Sequence, residues 1–167
     1  MSKLQILDSN KINLKVSRIA RQILEDCFLE KEIIIAGIKT SGFEFARRLS
    51  LEVKKVSPET TVILGYLKIN KPEPNSIEVQ SDIDTQSCKG KTVIVVDDVL
   101  NTGRTLIYGV KYFLESGAKA IKTAVLVDRS HNNFPIKADY SGFPLATTLK
   151  ENIRVVLTEN ESVAYLE

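Results

Sequence analysis

The chain has 167 residues, a net charge of +2 at pH 7, 43% hydrophobic and 26% charged residues, which sets one domain with a full-sized core as the default and excludes a uniformly basic nucleic-acid binder, though not a local basic patch. Apolar runs are strand-sized, and Met1 to Ile6 lacks the apolar stretch of a secretion signal, so neither a membrane span nor a leader is expected. Cys27 and Cys88 form no metal-ligand spacing with each other or with His131, and a reducing cytoplasm is the expected compartment.

Leu14, Ile19, Ile23, Leu24 and Phe28 recur at helical steps and predict an amphipathic helix over Leu14 to Leu29, with Lys15, Arg18 and Arg21 on its outer face. Glu32 to Ala36 is a short β-branched run ending at Gly37 and predicts a buried strand. Helical spacing resumes from Thr40 to Val56 and stops at Ser57-Pro58. Thr60 to Leu67 predicts a second strand, and Lys68 to Ser76, with Pro72 and Pro74, a polar excursion. Ile77-Glu78-Val79 alternates and suits one strand of a hairpin.

Lys91 to Asp98 is the strongest strand signal, apolar on both faces through Val93-Ile94-Val95-Val96, the mark of a central parallel strand. A helix from Thr102 to Ser116 with Gly117 at its C-terminal cap follows, and then a parallel-type strand from Ala120 to Val127. The last third reads as short strands and loops, including Ile153 to Leu157 and Val163 to Leu166, the latter expected to complete a sheet edge. The alternation implies right-handed βαβ crossovers and an α/β fold, a doubly wound, mainly parallel sheet flanked by helices.

The chemistry gathers where the central strand ends. Asp97-Asp98 places two carboxylates at a carboxyl strand end, where open α/β sheets bind ligands. Buried carboxylates are costly unless a cation or hydroxyl group meets them, and a ribose diol with Mg²⁺ nearby would suit both. Asn101-Thr102-Gly103-Arg104-Thr105 then opens a helix. First-turn amides and the helix dipole favour an anion, Gly103 permits close approach, and Thr102 and Thr105 add hydroxyls. Diol pair and phosphate cradle together have the spacing of a ribose 5-phosphate.

Val95 to Thr105 resembles the motif of type I phosphoribosyltransferases that binds phosphoribosyl pyrophosphate (PRPP). Gly37-Ile38-Lys39-Thr40-Ser41-Gly42 resembles that family's pyrophosphate loop. Leu126-Val127-Asp128-Arg129-Ser130-His131, with Pro135 to Tyr140, is similar to the pyrimidine-operon regulator branch, whose members also act as uracil phosphoribosyltransferases. Arg18-Ile19-Ala20 and Ala46-Arg47-Arg48-Leu49 fall in register with that branch.

The resemblance implies a single type I phosphoribosyltransferase domain over 1–167, with a flexible loop around 68–85 and a small hood built largely from the C-terminal third. It implies Mg²⁺, a cytoplasmic location and a homodimer or higher homo-oligomer. Asp97 and Asp98 would contact the ribose hydroxyls and Mg²⁺, and with Lys39 would carry catalysis. The segment Asn101, Thr102, Gly103, Arg104 and Thr105 would hold the 5-phosphate, and Lys39, Thr40, Ser41 and Gly42 the leaving pyrophosphate. Asp128 and Arg129 are candidates for the wall of the base pocket, the bland alternative for Arg129 being an ion pair with Asp128 or Asp139; His131 reads as a loop residue.

Three departures stand out. Asn101 replaces the aspartate that serves as base in purine-salvage relatives, which argues against a hypoxanthine or guanine enzyme. Ser41 stands where the pyrimidine branch has arginine, and the 68–84 stretch has no arginine, only Lys68 and Lys71. The expected activity joins a nucleobase, a pyrimidine such as uracil, to PRPP. The competing readings are an RNA-binding attenuation regulator, with a basic face from Lys15, Arg18, Arg21, Arg47, Arg48, Lys54, Lys55 and Lys137, or a nucleotide sensor with weak or no turnover.

Overall fold

The computed structural model describes residues 3–73 and 76–167. Its elements run β1 (Leu4–Leu7), α1 (Ser9–Asp26), β2 (Glu32–Ile38), α2 (Ser41–Val56), β3 (Thr61–Glu73), β4 (Ser76–Ser81), a short 3-10 helix (Thr85–Cys88), β5 (Thr92–Leu100), α3 (Arg104–Phe113), β6 (Ala120–Asp128), β7 (Tyr140–Pro144), β8 (Ile153–Leu157) and β9 (Ser162–Leu166). A six-stranded sheet has the order β4-β3-β2-β5-β6-β7, and a three-stranded sheet the order β1-β9-β8. In the larger sheet only the pair β3–β4 is antiparallel.

Residues of β2 and β5 are buried on both faces, and their alternation builds two cores. Ile33, Ile35, Ile94 and Val96 pack with Ile12, Ile19, Ile23, Phe45 and Leu49 of α1 and α2. Ile34, Ala36, Val93 and Val95 pack with Leu106 and Phe113 of α3 on the opposite side. The sheet is therefore doubly wound, with helices on both faces. Each fully buried aliphatic side chain contributes about 1.5–3 kcal/mol relative to its exposed state, so β5, at the middle of both cores, is a rigid base for whatever lies at its end.

Several elements differ from the sequence expectation for identifiable reasons. The Asp8 carboxylate accepts from Lys11 N at 2.8 Å, so α1 starts at Ser9 and not near Leu14. Its buried stripe is Ile12, Val16, Ile19, Ala20 and Ile23, while Leu14 is 69% exposed and Phe28, past the helix end, 77%. Leu14 lies about 200° around the helix from Ile12, away from the sheet. Most of the predicted polar excursion is strand, because β3 leaves β2 at Leu67 and pairs only with β4, with Lys68, Ile69 and Asn70 opposite Gln80, Val79 and Glu78. A proline in such a two-stranded ribbon removes no inner-sheet hydrogen bond. Pro74 lies outside the described residues, as do the side chains of Lys71 and Pro72.

Helix α3 is shorter than predicted at both ends, and Gly117, at φ 72°, sits beyond a further turn after Phe113. Val163 to Leu166 does not form an edge: β9 is the middle strand of the small sheet, flanked by β8 and by β1, which the sequence reading missed. Arg48 joins that sheet to α2, donating to Ser162 Oγ at 2.8 Å and Thr158 O at 2.9 Å. Among the described residues no helix is long and apolar enough to cross a membrane.

Candidate active site

The carboxyl end of β5 opens into a cleft of about 190 Å³ lined by Asp97, Val99, Leu100, Asn101, Thr102, Gly103, Arg104, Thr105 and Leu106. Register with the flanking strands fixes its floor, Val96 opposite Gly37 of β2 and Asp97 opposite Val125 of β6. Asp97 Oδ1 accepts from the Asp98 amide at 2.9 Å, and Asp98 Oδ1 from the Val99 amide at 2.9 Å. Asp97 thus stands on the cleft wall, whereas Asp98 lies next to it in sequence but is not among the lining residues.

The turn after β5 is built to stay open. Gly103 caps α3 at φ 83°, a left-handed conformation that favours glycine. Gly103 has no side chain to cap the helix, Thr102 Oγ1 accepts from the Arg104 amide at 3.3 Å, and the first intrahelical bond is Ile107 N to Gly103 O at 3.0 Å. The amides of the preceding turn therefore have no helical acceptor and suit an anion. The loop after β6 props the turn from behind. Thr102 O accepts from the amides of Asn133 and Phe134 at 2.9 and 3.1 Å, and Leu100 O from that of Arg129 at 3.0 Å. Ile136 closes against Gly103, where a Cβ would meet its Cγ2 at 2.6 Å.

The segment 39–42 reaches the same strand end. A Cβ on Gly42 would meet both Cα and Oδ1 of Asp97 at 2.9 Å, so only glycine lets the start of α2 lie against β5. The Lys39 amide donates to Leu67 O at 2.8 Å, and its exposed ammonium lies 3.7 Å from the centre of the Tyr66 ring. Thr40 and Ser41 face a separate groove of about 570 Å³ between α2 and residues 154–159. Gly42 and Asp97 are thus brought together, while Lys39, Thr40 and Ser41 are not among the residues that line the cleft.

Asp128 Oδ1 accepts from the Ser130 amide at 2.8 Å. Arg129 pairs with neither Asp128 nor Asp139. Asp139 instead accepts from the amide and hydroxyl of Thr123. The Arg129 guanidinium, in a residue only 4% exposed, donates to Thr147 Oγ1 at 2.9 Å, to Glu151 O at 2.5 Å and to Asn101 Oδ1 at 2.8 Å. His131 Nδ1 lies 3.5 Å from the same guanidinium. Thr147, Thr148 and Glu151 carry no local signal in the sequence that would have assigned them to this neighbourhood.

Much of the expected basic face is engaged within the molecule. Arg18 donates to Ser141 O and Gly142 O at 2.7 and 2.8 Å, holding α1 to β7. Arg21 lies 3.7 Å from Glu52, and Lys55 3.9 Å from it. Arg47 and Arg48 both grip Glu44, whose carboxyl they hold below the usual range, the Arg47 hydrogen bonds contributing most. Lys54 and Lys137 remain exposed.

A phosphoribosyl transferase domain model matches residues 2–158. The protein named bifunctional protein PyrR from Bacillus pumilus is 36% identical, over 99% of this chain and 98% of that one. Its namesake from Alkaliphilus metalliredigens is 38% identical, over 92% and 88%. Among solved structures, a hypoxanthine-guanine phosphoribosyltransferase from Bacillus anthracis superposes with a TM-score of 0.76 at 26% identity, covering 90% of this chain and 86% of that one.

Proposed function

The chain belongs to the phosphoribosyl transferase domain family, and on that premise we propose that it joins a pyrimidine base such as uracil to PRPP with release of pyrophosphate. The observation that carries the reading is the cleft in which Asp97 and the amide-lined turn from Asn101 to Thr105 share one space at the end of β5. In this reading the backbone of 101–105 binds the 5-phosphate, and Asp97 and Asp98 orient the ribose hydroxyls. Lys39, Thr40, Ser41 and Gly42 hold the pyrophosphate from the α2 side, with Lys39 moving off Tyr66. The 128–129 corner walls the base.

The bond between the anomeric carbon and pyrophosphate oxygen breaks as a ring nitrogen of the base bonds to that carbon, the electron pair leaves with pyrophosphate, and the proton of that nitrogen passes to the departing pyrophosphate or to water. Positive charge develops on the ribose between the two events. The chain's task is to fix the sugar phosphate, stabilise the leaving group and keep water out. Asn101 adds no base to this step, since an amide does not take a proton near neutral pH.

The residues fit Mg²⁺. Asp97 on the cleft wall suits an ion that takes one or two protein oxygens and completes its shell with phosphate oxygens and water, and among the described residues no cluster of three or more ligating side chains forms a closed cage. When bound, the ion would neutralise charge on the diphosphate of PRPP. A cytoplasmic location and a homodimer belong to the same reading.

The test is a spectroscopic screen of bases with PRPP and Mg²⁺. Uracil turnover exceeding that of hypoxanthine is the expected result, and purine turnover without pyrimidine turnover would overturn the choice of base. A regulatory second role draws on the likeness to relatives named bifunctional. Binding of RNA by this chain would appear as an affinity that falls steeply with salt.

A further inference from the structure

The donors of Arg129 point to a role for Asn101. Besides Thr147 Oγ1 and Glu151 O, the guanidinium reaches Thr148 O at 3.3 Å, and its Nη1 donates to Asn101 Oδ1 at 2.8 Å. A guanidinium has donors and no acceptor, so the atom of Asn101 that it meets must be the amide oxygen. The amide NH₂ group is then turned the other way. Asn101 is exposed and lines the cleft, and among the described residues no protein acceptor takes its side-chain N–H groups.

Both alternatives at this position would behave differently. A carboxylate would accept equally well from Arg129 but would turn a second acceptor toward the cleft. An asparagine without Arg129 could present either end of its amide. Arg129 in turn cannot shift, because its other donors are fixed on 147–151 and the residue is 4% exposed.

We propose that Arg129 is a positioning residue that locks Asn101 as a hydrogen-bond donor toward the cleft. Asn101 thereby selects nucleobases that present a bare acceptor there, a carbonyl oxygen or an unprotonated ring nitrogen, over those that present an N–H. The inference rests on the phosphoribosyl-transfer reading and deepens it. One buried side chain also ties the segment 147–151 to the phosphate-binding turn, so that base selection and cradle geometry are set together.

Calorimetry with Mg²⁺-PRPP, uridine 5′-monophosphate and its 2-thio and 4-thio analogues tests the inference, because sulfur accepts hydrogen bonds more weakly than oxygen. The wild-type chain is expected to bind one thio analogue about fivefold or more weakly than the parent nucleotide. In Asn101→Ala and in Arg129→Met that gap should close to within about twofold. Arg129→Lys should not restore it, since an ammonium cannot span the same acceptors. A purely structural role for Arg129 would weaken all the ligands alike and leave the gap intact, which would overturn the proposal. If Arg129→Met does not fold, Asn101→Ala decides alone, and an undiminished gap there has the same force. No gap in the wild-type chain, or PRPP bound with no uridine nucleotide bound, also sinks this inference while sparing the transfer reading; failure of the wild-type chain to bind PRPP sinks the transfer reading itself.

Discussion

Replacing Gly103 with alanine should cost more than the backbone strain alone, and the structure supplies the control that separates the two terms. Gly103 has φ 83° and Gly90 φ 73°, so alanine at either position sits in the left-handed region at a cost of about 1–2 kcal/mol. A stiffer unfolded chain offsets this by up to about 1 kcal/mol in both variants. Around Gly90 a Cβ meets nothing within 4 Å, whereas at Gly103 it meets Ile136 Cγ2 at 2.6 Å. That contact lies well inside van der Waals distance and adds overpacking of about 1–3 kcal/mol. With about 2–4 °C of Tm per kcal/mol for a chain of this size, Gly103→Ala should melt several degrees below Gly90→Ala. In an Ile136→Ala background the further cost of Gly103→Ala should be smaller than in the wild-type chain. Calorimetry completes the assay: PRPP affinity should be unchanged in Gly90→Ala and about tenfold or more weaker in Gly103→Ala, because a cradle displaced by a fraction of an ångström no longer converges on phosphate. Equal melting of the two alanine variants, or full PRPP affinity in Gly103→Ala, would refute the account of the turn.

Asp97→Asn together with Asp98→Asn should abolish PRPP binding in the presence of Mg²⁺ and leave the circular dichroism unchanged, because asparagine keeps the oxygens that accept from the amides of Asp98 and Val99; unchanged affinity by calorimetry would remove both residues from the site. Acid titration addresses Glu44, whose carboxyl is lowered chiefly by its hydrogen bonds from Arg47. A depressed folded-state value means that its contribution is complete above the unfolded value of about 4.3 and is lost as pH falls through the lower folded value. Urea melts over that acid range should therefore show a shallower decline for Glu44→Gln than for the wild-type chain, and identical pH profiles would contradict the assignment.

The parts of the fold legible in the sequence were those fixed by local pattern. Val93 to Val96 reads as a doubly buried strand because residues on both its faces are apolar, and it does lie between β2 and β6. The turn that opens α3 was legible for the same reason, since strand, carboxylates, glycine and helix follow one another without interruption. What escaped depends on distant partners. β1 is too short to be recognised without β9 opposite it, and the extension of β3 depends on β4. Leu14 counts as apolar in any periodicity, yet its direction is set by which side of α1 meets the sheet. The pair Asp97-Asp98 reads as one feature, but successive side chains on a strand point to opposite faces, and only Asp97 lines the cleft. Arg129 was placed at the correct sheet edge, while its acceptors at 147–151 lie in a segment with no pattern to announce them.

The small sheet has its own bearing on how the molecule breathes. Strand β9 holds β1 on one side and β8 on the other, so it ties together segments from opposite ends of the sequence, and its closure carries the entropy of a very long loop. In the larger sheet every pair joins strands nearer in sequence than β1 and β9, the pair β2–β5 being the widest. Sub-global opening should then begin with this clasp, as Arg48 lets go of Thr158 and Ser162, while β2 and β5 stay paired beneath it.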